Sequence, residues 1–167
     1  MLRSTLQVLL LRELGAVRRS VEAYPDEASL WRLPPGVPNA GGTLVLHISG
    51  NLRHYVGAVL GGTGYVRDRD AEFSRRDVPR DALLAEVDAA IDAVERTMES
   101  LGDGALDGVY PELVVGRAVA TADYLAHLAS HLAYHLGQLD YHRRVVTGDK
   151  RGVGALPLDE LPAPDAA

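Results

Sequence analysis

Residues 121–146 read TADYLAHLASHLAYHLGQLDYHRRVV, with Thr147-Gly148 directly behind them. The run has helical periodicity and the Thr-Gly pair stops it, so the sequence predicts one long helix. His127, His131, His135 and His142 all lie on it. A step of four residues turns a helix by about 400°, so each of the first three histidines sits one turn from the next and about 40° around. An i, i+4 pair projects both rings from one face, which is how a single helix offers two imidazoles to one metal ion. The spacing leaves open whether that pair is His127 with His131 or His131 with His135.

Three further segments share the helical period. Leu6, Leu10, Leu14, Val17, Val21 and Tyr24 recur at steps of four and three until Pro25 closes the first. The second covers 43–60, from Thr43 as a capping residue to a stop at Gly61 and Gly62. It carries the other two histidines, His47 and His54, with Asn51 between them on the same stripe. The third opens at Pro79, which is tolerated in a first turn, and presents Leu83, Val87, Ile91, Val94, Met98 and Leu101. Connections lie between: 26–42, rich in Pro and Gly; a charged linker at 65–78; and 102–120, where Leu113-Val114-Val115 reads as a short extended piece. The expected architecture is all-α, a four-helix bundle with long crossover connections, over residues 1–150. Residues 151–167, with Pro157, Pro162 and Pro164, are expected to form a flexible tail.

At 167 residues the chain has length for one domain with a full core. The 23 acidic and 17 basic residues leave a formal net charge of −6, which argues against a dedicated nucleic-acid binder. There is no cysteine. Disulfides, zinc knuckles, iron–sulfur clusters and a cysteine nucleophile are therefore excluded, and any thiol must come with a substrate. The apolar run 6–11 is too short for a membrane span and lacks a small-residue cleavage site, so a cytoplasmic location is expected. No Glu-x-x-His, His-Glu-x-x-His, Gly-x-x-x-x-Gly-Lys or Gly-x-Ser-x-Gly occurs, which weighs against a di-iron carboxylate site, a zinc protease, a phosphate loop and a serine hydrolase.

The histidines therefore carry the chemistry. Bundle interiors build metal sites from facing helices, and neutral imidazole suits zinc, nickel, copper or iron. Three protein ligands would leave a position open for water or substrate, the catalytic arrangement. Spacing does not choose between His47 and His54 as the third ligand.

The residues around the histidines narrow that choice. Leu132-Ala133-Tyr134-His135-Leu136-Gly137-Gln138-Leu139 follows His131, and Thr43-Leu44-Val45-Leu46-His47-Ile48 opens the second helix. Gly50-Asn51-Leu52-Arg53-His54-Tyr55 and Arg67-Asp68-Arg69-Asp70-Ala71-Glu72-Phe73 come after it. In this wording, from about Leu2 to Gly148, the chain resembles the DinB superfamily of damage-inducible and YfiT-like bundles. The resemblance implies His47, His131 and His135 as ligands of a divalent transition metal (zinc, nickel, iron or manganese) at one end of the bundle, and a homodimer. It makes His54 and His127 neighbours that support a ligand or face a substrate. Characterised members include transferases and isomerases that use a low-molecular-weight thiol, and the family name implies no DNA contact.

Three neutral imidazoles leave the metal's double positive charge uncompensated, so a bound water is acidified and a bound thiol deprotonated. The expected function is transfer of a low-molecular-weight thiol to an electrophile, or hydrolysis of a small substrate. The alternative is a metal-holding stress-response bundle without catalysis. Asn51, Gln138 and His127 are candidates to hold a ligand ring or a bound water by hydrogen bonds. Arg53, Arg67 and Arg69 are candidates to bind a carboxylate on a thiol cosubstrate.

Overall fold

The computed structural model describes residues 2–102, 104–155 and 158, so most of the tail expected at 151–167 lies outside the described residues. Among the described residues the chain is all-α: α1 (Leu2–Glu22), α2 (Glu27–Trp31), α3 (Gly41–Leu52), a π-helical turn (Arg53–Ala58), α4 (Arg69–Ser74), α5 (Arg80–Ser100) and α6 (Thr121–Thr147). α1 packs against α5 and α6, and α3 packs against the same two. α1 therefore faces α3 across a diagonal, as α5 faces α6. The long connections after α1 and after α5 cross the ends of the bundle for that reason.

The stripes predicted from sequence build the core. Leu10, Leu14 and Val17 of α1, Leu83, Val87 and Val94 of α5 and Leu125, Leu128 and Leu132 of α6 are buried together. Each contributes about 1.5–3 kcal/mol by leaving water.

The connections hold two helices that periodicity does not reveal. Asp26 accepts from the Ser29 N–H at 2.7 Å and starts α2; Asp68 accepts from the Ala71 N–H at 2.8 Å and starts α4. The piece expected to be extended at 113–115 is instead part of a tight turn. Val114 and Arg117 exchange both backbone hydrogen bonds, at 2.9 and 3.1 Å, and Val115 takes a φ of 50°.

α3 begins at Gly41, ahead of the expected Thr43, and Ala40 at its N-cap makes no side-chain hydrogen bond. Packing sets this end. All 12 residues of α3 are buried, and a Cβ on Gly42 would stand 2.4 Å from Trp31 Cζ2. Beyond Leu52 the helix widens, and the Val59 N–H donates to the His54 carbonyl five residues back at 3.0 Å. α6 ends as its sequence predicts: Gly148, at φ 73°, donates to the Arg144 carbonyl at 2.8 Å.

Candidate metal centre

α3 lies against both α6 and α4, and the histidines of α3 and α6 meet in that contact. His131 Nε2 stands 3.1 Å from His135 Nε2 and 3.4 Å from His47 Nε2. One ring nitrogen from each of the three lies within 4.8 Å of the other two. The rings meet edge to face, with interplanar angles of 73°, 87° and 80°.

The other ring nitrogens fix the tautomers. His47 Nδ1 meets Glu72 Oε2 at 3.0 Å, and His135 Nδ1 meets Gln138 Oε1 at 2.7 Å. Both partners are acceptors. At His47 the Glu72 oxygen is closer than the Arg67 nitrogen that also faces Nδ1, at 3.4 Å. The geometry therefore favours a proton on each Nδ1 and a lone pair on each Nε2. His131 can donate to only one of these lone pairs, which leaves the other facing it uncompensated. A cation between them resolves that. Zinc with nitrogen bonds of about 2.0–2.1 Å in tetrahedral geometry holds its ligand nitrogens about 3.3–3.4 Å apart, close to the separations found. The donor set fits a divalent transition metal.

The electrostatics agree. Burial, with His135 and His47 close by, pushes His131 down to about 4. Burial also lowers His135, although its bond to Gln138 acts against it. Both rings are neutral at pH 7, the state a metal needs.

The remaining candidates separate. Gln138 holds the His135 ring, as its position three residues on predicts. Asn51 lines the cavity beside the cluster and is buried, with an Oδ1 that has no partner among the described residues. His127 lines the same cavity but stands off, its ring centroid 6.2 Å from that of His131 and stacked on Tyr124. His54 does not line the cavity and faces Glu112 at 3.5 Å. Seven residues past His47 is two helical turns, about 10 Å along the axis, so a shared stripe is not a shared site. His142 is a packing residue: its Nδ1 accepts from the Tyr24 hydroxyl at 2.7 Å and its Nε2 donates to the Arg32 carbonyl at 2.8 Å.

Of the three arginines, Arg53 pairs with Glu86 and lies over the Tyr65 ring. Arg67 is bound at both ends to Glu72, at 2.7 and 2.8 Å. Arg69 lies over Phe73, lines the cavity and has no ion pair among the described residues. The cavity measures 530 Å³, and Glu112, Leu113, Val114 and Val115 also line it.

The family model of the DinB superfamily matches residues 9–139. The chain belongs to the DinB superfamily. The matched DinB span takes in the three clustered histidines and Gln138 and leaves out His142. No curated protein and no solved structure matches the chain. DinB membership and the geometry of the cluster together support metal binding by this protein.

Glu72 is the site residue that the sequence conceals. In the run Arg67-Asp68-Arg69-Asp70-Ala71-Glu72 it reads as one more solvated charge, yet it is 5% exposed. No local signal in the sequence marks it, because the room it occupies is left by Gly50 on α3.

Proposed function

We propose that this DinB protein holds one divalent transition metal on the Nε2 atoms of His47, His131 and His135. We further propose that it is an enzyme, transferring a low-molecular-weight thiol to an electrophile or hydrolysing a small substrate. The observation that carries this reading is the convergence of three ring nitrogens from two helices on the wall of a 530 Å³ cavity. A bound metal would supply a Lewis acid with a position open to water or a thiol.

The chain's own residues do the rest. Glu72 and Gln138 orient the rings of His47 and His135. Asn51 offers a buried acceptor to whatever donor enters the cavity. Arg69 suits a carboxylate on the incoming molecule, because Arg53 and Arg67 already have acidic partners. With no cysteine in the chain, the thiol is a substrate group. The proposed partner is thus a small molecule and not a nucleic acid. A homodimer is part of the proposal, supported by Tyr134, Tyr141 and Val145, which are exposed along one side of α6; sedimentation velocity tests it. The proposed location is cytoplasmic. No helix among the described residues is long and apolar enough to cross a membrane.

Elemental analysis after expression in metal-replete medium should find about one equivalent of a transition metal, and less than about a tenth would overturn the reading. His131→Ala and His135→Ala should release the metal while His142→Ala retains it. Thiols incubated with halogenated aromatics or epoxides should be consumed only by the metal-loaded protein. A loaded protein that turns over none of them would instead hold metal without catalysis.

A further inference from the structure

The carboxylate behind His47 is held from three sides. Glu72 stands on α4, meets His47 Nδ1 with Oε2 at 3.0 Å, and receives Arg67 Nε at Oε1 and an Arg67 terminal nitrogen at Oε2, at 2.7 and 2.8 Å. It reaches that place because residue 50 has no side chain. A Cβ on Gly50 would stand 2.2 Å from Glu72 Oε1 and 2.9 Å from its Cδ. Glycine inside a helix is unfavourable relative to alanine, and Gly50 has no left-handed backbone to justify it. The gap lies one turn beyond His47, on the same face of α3. α3 thus presents the ring and, beside it, the opening through which an acid from another helix approaches the ring from behind.

Charge balance supports a role beyond packing. Arg67 gives both Glu72 oxygens a hydrogen bond, at 2.7 and 2.8 Å, so a guanidinium matches the buried carboxylate while Oε2 also meets the ring. The acid is thereby held as an acceptor facing the ring's Nδ1. A carboxylate behind a metal-bound imidazole fixes its orientation and raises its basicity as a ligand.

We propose that Glu72 is the positioning residue of the metal centre: through the gap at Gly50 it pins the Nδ1–H tautomer of His47 and thereby sets the affinity for the metal. The inference rests on the reading of His47, His131 and His135 as ligands.

The test uses the full chain with zinc as the probe, titrated against a chromophoric chelator, and long-range 1H–15N spectra of the imidazoles in the metal-free protein. Glu72→Gln should bind zinc about 10–100-fold more weakly than the wild type, and its His47 should show a mixture of tautomers. Gly50→Ala should move both readouts in the same direction, because its methyl group displaces the carboxylate without altering any charge. A merely structural Glu72 would lower the melting temperature of these metal-free variants and leave affinity and tautomer alone. That result, or affinity of Glu72→Gln within about twofold of wild type, overturns the proposal. If Glu72→Gln does not fold, Gly50→Ala is judged by the same two criteria. His131→Ala tells the two readings apart. A wild type that binds zinc no better than His131→Ala removes the metal site itself. A wild type that binds while His131→Ala does not, with Glu72→Gln unchanged, removes only the role of Glu72.

Discussion

Folding makes the central histidines weaker bases, and this has a sign that can be measured. His131 titrates near 4 in the native protein, against about 6.5 when exposed. Between those values the unfolded chain takes up a proton that the native chain refuses, so native stability falls as the pH falls. His135 and His142, also lowered by burial, act in the same direction. Glu72, whose carboxyl the fold holds low, adds its own loss only below about pH 4.5. The melting temperature of the metal-free protein should therefore decline steadily from about pH 7 to about pH 4.5, and His131→Asn should flatten the decline. A wild-type profile without slope would contradict the assignment. The DinB wording selected His47 on α3 with His131 and His135 from six histidines, and the last two were legible as a candidate pair because they repeat along one helix. The position of Glu72 was not. Nothing local distinguishes it from Asp68 or Asp70; its burial follows from a glycine on a different helix, a tertiary fact without a local pattern.

Among the elements, α3 is the one whose placement the site depends on, and its first turn is held by contact. Gly42→Ala would ordinarily gain up to about 1 kcal/mol of helix propensity. Here the new methyl group would lie 2.4 Å from the Trp31 ring, which also donates its indole N–H to the Val78 carbonyl at 3.2 Å and is not free to swing away. Overpacking of this kind costs about 1–3 kcal/mol, so the clash wins. Urea unfolding of Gly42→Ala should show a net loss of stability, and a gain would mean that Trp31 repacks without cost. The four long helices were readable because three turns or more give an apolar stripe room to repeat. α2 and α4 have 5 and 6 residues, too few for any stripe, so the Asp at each N-cap was their only local mark. The π-helical turn has no such mark. Gly57 and Gly61 press there against Ala93 and Thr97 of α5, and the widening belongs to that packing.

For the whole molecule, a ligand that binds only the native state adds stability by mass action, about 2.7 kcal/mol at a free concentration one hundred times its dissociation constant. For a chain of this size that corresponds to a rise in melting temperature of roughly 5–10 °C. Zinc should produce such a rise, EDTA should reverse it, and His131→Ala should show neither. The packing of α3 against α6, far apart in the chain, adds a condition in time. His47 and His131 approach to 3.4 Å across 84 residues of chain, and α6 leaves the ribosome well after α3. A nascent polypeptide that has already released α3 offers a passing ion one imidazole and nothing to complete the coordination. Loading must therefore wait until α6 has also emerged, and metal capture would report that these two helices have docked.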